Sequence, residues 1–268
     1  MEVIDFVNLS ADRLVRQGYE EAEARSVARL LAAHILRKPL RELAMYGFQE
    51  INAAETEPLL QRLCAGEPLQ YVIGETEFMG VTMKCAPVAL IPRGDSECLI
   101  ERAVQLMQER PRPRLADICC GGGCFAVTLA RWLPQARVDA VDIDPAVLEL
   151  ARQNGKFTYT DDRVAFYQGD LAQPLLELGQ RYDLIVSNPP YIRHDDLEQL
   201  PALVKQEPYL ALDGGADGLD FYRRLAEQVM PLLNPDGWLI VEHGDDQQEQ
   251  VEALFAAAGW KTVQRIED

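Results

Sequence analysis

The chain lacks any run approaching the ~18 consecutive apolar residues that a membrane-spanning helix needs. Its opening, MEVIDFVNLSADRL, has neither the basic start nor the apolar core of an export signal. These two absences lead us to expect a cytoplasmic protein with no membrane partner. There is also no Lys/Arg-rich stretch, and 43 acidic against 26 basic residues give a net charge of −17. A nucleic-acid surface needs a basic footprint to displace counterions from phosphates, so no direct nucleic-acid partner is expected. Solubility alone accounts equally well for the acidity. None of the six cysteines, Cys64, Cys85, Cys98, Cys119, Cys120 and Cys124, falls in a C-x-x-C knuckle. They read as reduced thiols used for packing, with no metal site. Internal repeats and low-complexity segments are missing as well.

At 268 residues, 48% hydrophobic and 26% charged, the chain suits one large globular domain or two unequal ones. The first part carries helical patterns only. In EEAEARSVARLLAAHIL the residues Val27, Leu30, Leu31, His34 and Ile35 recur at i, i+3, i+4, i+7 and i+8, one stripe that needs a covering surface. PLRELAMYG, with Pro39 in the first turn and Gly47 at the end, and AAETEPLLQRLCAG read as two more helices. From Leu69 to Pro92 the pattern turns to short β-like pieces, YVIG, EFMGVTMKC and VALIP, punctuated by Gly74 and Gly80. The predicted division is therefore a helical domain over 1–68, a β-hairpin linker over 69–92 and a main domain over 93–268. In the main domain the strand candidates RLADI, RVDAVDI, RVAFYQ, YDLIVS and WLIVEH alternate with the helices CFAVTLARWL, PAVLELARQN, LDFYRRLAEQVMPLL and QEQVEALFAAAG. That alternation predicts an α/β fold: a parallel sheet with helices on both faces.

The first βα junction, ADICCGGGCFAVTLA, ends a strand at Asp117-Ile118 and turns through Gly121, Gly122 and Gly123 into a helix. Glycines there allow a sharp turn and close approach to a ligand. The loop matches neither G-x-G-x-x-G nor a phosphate loop with its lysine. Asp142 ends the second strand ~20 residues further on, where a carboxylate accepts ribose hydroxyls. Asp144 and Pro145 read as the N-cap and first turn of the following helix. Asp170, in YQGDL after the third strand, falls where an adenine amino group would be bound. The fourth strand ends in Asn188-Pro189-Pro190-Tyr191 on the same edge. Any one of these is more often a cap or a turn, but together they form a nucleoside pocket. No pyrophosphate clamp accompanies it, so the expected ligand is an adenosine without phosphates, and S-adenosylmethionine is the common one.

The segments GEPLQYVIGETEFMGVTMKCAPVALIPRGDSE, SNPPYI, EPYLALDGGADGLDFYRR and GWLIVEHG resemble the peptide chain release factor glutamine N5-methyltransferase family, over nearly the whole chain. The resemblance implies a Rossmann-like class I methyltransferase sheet, preceded by a small helical domain that recognises substrate and by a β-hairpin. It implies S-adenosyl-L-methionine as methyl donor, S-adenosyl-L-homocysteine as product, and release factors as protein substrate, with the glutamine of their GGQ loop as acceptor. Cofactor positions then fall on Asp117, Cys119, Cys120, Gly121, Gly122, Gly123, Asp142, Ile143, Asp170, Leu171 and Asn188. Catalytic positions fall on Asn188, Pro189, Pro190 and Tyr191. The chain departs from the family pattern in three places. Cys119 and Cys120 stand where the family's loop has Gly-Thr, and Arg93-Gly94-Asp95-Ser96-Glu97 replaces Arg-Pro-Asp-Thr-Glu. The sequence also stops at Asp268, about where the family's final strand would begin, so that strand is expected to be absent.

An amide nitrogen is a poor nucleophile because its lone pair is delocalised into the carbonyl. The Asn188 side-chain oxygen and the Pro189 carbonyl can each accept one N–H of a substrate amide. Both become stronger partners as the nitrogen turns tetrahedral and cationic. Pro190 stiffens the turn, and Tyr191 can stack on the flat amide. His194 and Asp195 read as solvated loop residues, and Glu207-Pro208 with the GGADG loop as lining of a substrate groove. Two other functions remain open at this point: an adenine N6-methyltransferase on nucleic acid, which shares the Asn-Pro-Pro-Tyr geometry, and a non-catalytic adenosylmethionine-binding protein. A monomer is expected.

Overall fold

The structure, a computed structural model, describes residues 1–262 and 264–266. It divides into two compact units, Met1–Gly74 and Glu75–Asp268. Among the described residues no helix is long and apolar enough to cross a membrane.

The first unit is helical: α1 (Val3–Arg16), α2 (Glu21–Leu36), a 3-10 turn (Leu40–Tyr46), α3 (Ala53–Cys64) and α4 (Leu69–Ile73). Phe6, Leu14, Leu31 and Leu63 make its core. The deepest face of α2 consists of Ala24, Ala28, Leu31 and Ala32, while Val27, Leu30, His34 and Ile35 flank it half-buried. The predicted stripe was therefore displaced. Small alanines let backbones approach closely, so they sit innermost and push the larger side chains to the rim. Arg13 on α1 holds Glu57 on α3 through two hydrogen bonds of 2.7 and 3.1 Å. The segment PLRELAMYG is a 3-10 turn rather than an α-helix, with Pro39 just before it. YVIG, predicted as extended, belongs to α4. Gly74 closes that helix at φ 79°, and Arg62 donates to the carbonyls of Tyr71 and Val72.

In the second unit β1 (Glu75–Phe78) and β2 (Val81–Lys84) form an antiparallel hairpin. Its two-residue loop, Met79-Gly80, has positive φ at both positions, the twist a tight hairpin requires. VALIP, predicted as extended, forms no strand. The elements α5 (Glu97–Met107), β3 (Arg114–Ile118), α6 (Cys124–Trp132), β4 (Arg137–Asp142), α7 (Pro145–Phe157), β5 (Val164–Gln168), α8 (Gln173–Leu178), β6 (Tyr182–Ser187), α9 (Asp220–Gln228), β7 (Leu233–Val241) and α10 (Gln248–Ala257) follow. The sheet is wholly parallel, in the order β5-β4-β3-β6-β7. Side chains alternate between its faces, so Leu184 and Val186 join the core under α5 and α6, while Ile185 joins the one under α9 and α10. The helices α5 and α8 were not predicted. The first has apolar positions at Leu99, Ile100, Ala103 and Met107, and the second is a six-residue turn of helix. No strand follows α10 among the described residues, and Val263, Glu267 and Asp268 lie outside them.

Chain order reverses between β3 and β6, which places the fold's switch point at their carboxyl ends, where ligands of open α/β sheets bind. One buried side chain ties the hairpin to this edge. Asn154, 1% exposed on α7, accepts from the Lys84 N–H at 2.7 Å and donates to the carbonyls of Lys84 (3.2 Å) and Gly122 (2.9 Å). Asn154→Ala strands all three backbone groups and is expected to lower stability by about 2–4 kcal/mol. A urea titration checks this, with the midpoint falling while the slope stays unchanged.

Candidate active site

A cavity of about 460 Å³ opens at the carboxyl ends of β3, β4 and β6. Asp117, Cys119, Cys120, Gly121, Gly122, Asp142, Ile143, Asp170, Leu171, Asn188 and Pro190 all line it. Three residues of the predicted set, Gly123, Pro189 and Tyr191, are not on its wall. Gly123 instead serves as the N-cap of α6 at φ 80°, where a Cβ would come within 3.1 Å of Ala151 and 3.2 Å of Phe166. Any other residue there would be both strained and crowded.

The loop after β3 is held from both sides. The Cys120 N–H donates to the Val141 carbonyl at 2.9 Å, and the Gly121 N–H to Asp142 Oδ2 at 2.9 Å. The other Asp142 oxygen accepts from the Asp144 N–H at 3.1 Å, and Asp144 caps α7 through the Ala146 N–H at 2.8 Å, as predicted. Burial pushes the Asp142 carboxyl up, against the pull of these backbone donors. Cys119 takes φ 63°, a left-handed conformation that L-residues other than glycine disfavour by roughly 1–2 kcal/mol. The thiols of Cys119, Cys120 and Cys124 are pushed far up by burial, so they stay neutral. Among the described residues no cluster of His, Cys, Asp and Glu could hold a metal.

Asp117 is 1% exposed. One carboxyl oxygen accepts from the Ala126 N–H at 3.0 Å, and the other is buried with no partner. Burial, opposed by that hydrogen bond and aided by the nearby Asp142, pushes its pKa up to about 8.

Asn188 follows the last residue of β6 and donates its amide N–H to Glu242 Oε1 at 2.8 Å. Glu242 lies just past the end of β7 and also accepts from the Ser96 hydroxyl and, at 3.5 Å, from the Tyr191 hydroxyl. Tyr191 stands behind the cavity wall, its pKa pushed up to about 12 by burial and by Glu242. Gln247 donates to the Tyr191 carbonyl at 2.9 Å and to that of Gly218 at 3.3 Å. The GGADG segment is moulded on Tyr191: a Cβ on Gly214 would lie 2.7 Å from its Cα, and one on Gly218 2.4 Å from its carbonyl oxygen.

A further part of the wall comes from the segment that follows Glu207. Glu207, 6% exposed, accepts from the Ile91 N–H at 2.9 Å and pairs with Arg93. Pro208, Tyr209, Leu210 and Ala211 continue the wall. His194 was predicted as a solvated loop residue. Although exposed, its ring lies 3.0 Å from the Tyr209 hydroxyl and 3.2 Å from Asp213. Asp170 is paired with Arg224 at 2.6 Å, and both are on the wall. Sequence reasoning did not find Glu242, Ser96, Arg93 or Arg224. Only Glu242 carried a signal, as the acidic residue closing the apolar run Leu239-Ile240-Val241, just as Asp142 closes β4.

Residues 7–74 match the PrmC N-terminal domain and residues 96–216 the methyltransferase small domain. The chain is 38% identical over 265 residues to the release factor glutamine methyltransferase of Bordetella pertussis, covering 98% of this chain and 96% of that protein. The Geobacter sulfurreducens protein of the same description is 45% identical over 206 residues, covering 75% and 69%. Among solved structures, the hMettl16 catalytic domain in complex with MAT2A 3'UTR hairpin 1 superposes with a TM-score of 0.56, at 16% identity over 68% of each chain. That likeness shows the fold alone.

A carboxyl raised from the ordinary range near 4 to about 8 binds more protons folded than unfolded between those values. Its contribution to stability is therefore full in acid and is lost as pH rises toward 8. Asp117→Asn removes that loss. In ligand-free protein its melting temperature is expected to exceed the native one at pH 8 by more than at pH 5. A margin that stays flat with pH would contradict the assignment.

Proposed function

The chain belongs to the release factor glutamine methyltransferase family, and from that membership we propose that its cavity is where a release-factor glutamine receives a methyl group from S-adenosylmethionine. The observation that carries this is the Asn188 amide: its nitrogen is committed to Glu242, so its oxygen is the atom left to accept from a substrate.

The wall suits the cofactor. Asp142 offers acceptors for ribose hydroxyls, and Asp170 with Leu171 borders the adenine. The unpartnered oxygen of Asp117 is a partner for the ammonium group. The cations on the wall, Arg93 and Arg224, are each paired with a carboxylate, which leaves no clamp for phosphates. When bound, S-adenosylmethionine supplies an electrophilic methyl group on a sulfonium.

The chain's own part is to aim and hold the nucleophile. The Asn188 oxygen and the Pro189 carbonyl accept the two amide hydrogens of glutamine. Those bonds strengthen as the nitrogen loses conjugation and becomes cationic, so they favour the transition state over the ground state. Pro190 fixes the turn that aims the Pro189 carbonyl, and Tyr191 backs it against the GGADG loop. No strong base is needed, because the alkylated nitrogen is acidic. A glutamate in place of glutamine brings no donors and meets only acceptors, so the site rejects it. We assign recognition of the release factor to the helical domain 1–68, with 69–92 as linker and 93–268 as the catalytic domain. The enzyme acts as a cytoplasmic monomer on protein rather than nucleic acid, in keeping with its net charge of −17.

Labelled S-adenosylmethionine is offered with a release factor, with the same factor carrying Gln→Ala in its GGQ loop, and with nucleic acid. Label is expected in the first alone, and label in either of the others overturns the proposal. Asn188→Ala is expected to reduce kcat by about 10²–10³-fold while cofactor Kd changes little. Equal losses in both would make its role structural.

A further inference from the structure

We propose that Glu242 is a positioning residue of the methyl transfer: its carboxylate decides which way round the Asn188 amide stands, and so makes the site an acceptor of hydrogen bonds from its substrate. This rests on reading Asn188 as the acceptor of the substrate amide.

An asparagine amide has two faces of nearly equal shape, one donating and one accepting, and a half-turn about its last torsion exchanges them. Nothing in the Asn-Pro-Pro-Tyr motif by itself selects between them. An ionised carboxylate has only acceptors to offer, so the Asn188 group 2.8 Å from Glu242 Oε1 must be the NH₂. The flipped amide would set oxygen against oxygen at that distance. Glu242 is itself held in place, since Ser96 donates to its second oxygen and Tyr191 reaches the first. Burial pushes the Glu242 carboxyl up, opposed by those three donors, and the like charge of Asp95 adds to the rise.

The side chain is separable from the scaffold. The Glu242 backbone does the structural work there: its N–H donates to the Ser187 carbonyl at 3.0 Å, and its carbonyl accepts from the Tyr222 hydroxyl at 2.8 Å. Both bonds are made by main-chain atoms and do not involve the carboxylate. What is lost with the carboxylate is the one partner that tells Asn188 which face to show the cavity.

Glu242→Leu removes the acceptor. Glu242→Gln keeps the shape, because its Oε1 can accept from Asn188 while its NH₂ donates to the Ser96 hydroxyl, which can reverse its role. Turnover of release factor and S-adenosylmethionine affinity are measured on both variants beside the native enzyme. Glu242→Leu is expected to lower kcat by about a hundredfold with cofactor Kd within about threefold of native, and Glu242→Gln to recover most of that loss. Three outcomes overturn the proposal: native turnover in Glu242→Leu, a loss of cofactor affinity as large as the loss in kcat, or a glutamine variant as slow as the leucine one. If Glu242→Leu fails to fold, Glu242→Ala carries the same expectations. A native enzyme that does not methylate release factor overturns the functional reading instead, whatever residue 242 does.

Discussion

The parallel pairing of β3 with β6 sets Ile118 opposite Ser187, and the Ser187 hydroxyl clasps the Ile118 carbonyl at 2.7 Å. From that clasp the chain leaves in two directions, into the cysteine-glycine loop on one side and into Asn188-Pro189-Pro190-Tyr191 on the other. The cysteine-glycine loop and Asn188 take their places from this junction. Without the change of direction between these two strands, Asp142 and Asn188 would lie on separate walls. Burial on both faces gives the junction its rigidity: Ile118, Leu184, Ile185 and Val186 are all 0% exposed.

The site is built almost wholly of acceptors. Asp117, Asp142, Asp170 and Asn188 all stand on its wall. The arginines that reach it are already neutralised. Such a wall favours a cation and discriminates by chemistry rather than by size. A ligand must bring positive charge or N–H groups, and one rich in phosphate or carboxylate meets repulsion and unfilled acceptors.

The features legible in the sequence were those whose meaning is local. The glycine turn, the acids at or near the strand ends and the proline pair after β6 depend on neighbours a few residues away, and the strands of the sheet were marked by their own apolar runs. What was hidden depends on partners far along the chain. Asn154 reaches Lys84 70 residues back, Arg224 reaches Asp170 at a separation of 54, and Glu242 reaches Asn188 at the same separation. Nothing in the immediate context of these residues distinguishes them from solvated polar side chains. Misplaced elements have a similar cause. Leu69-Gln70-Tyr71-Val72-Ile73 carries β-branched and aromatic residues that suggest extension. It winds into α4 because Gly74 supplies a left-handed stop and because Leu69, Tyr71 and Val72 are buried. On α2 the apolar period was present, but the period does not reveal that alanine, not leucine, marks the closest approach.

The Asn154 side chain imitates a peptide group, bonding both the N–H and the carbonyl of Lys84 as a neighbouring strand would, while its remaining hydrogen is given to Gly122. Hairpin and glycine loop are thereby parts of one linkage rather than neighbours. The main-chain positions of Lys84 and Gly122 are thus set against one and the same side chain, and a change at residue 154 is felt by both at once.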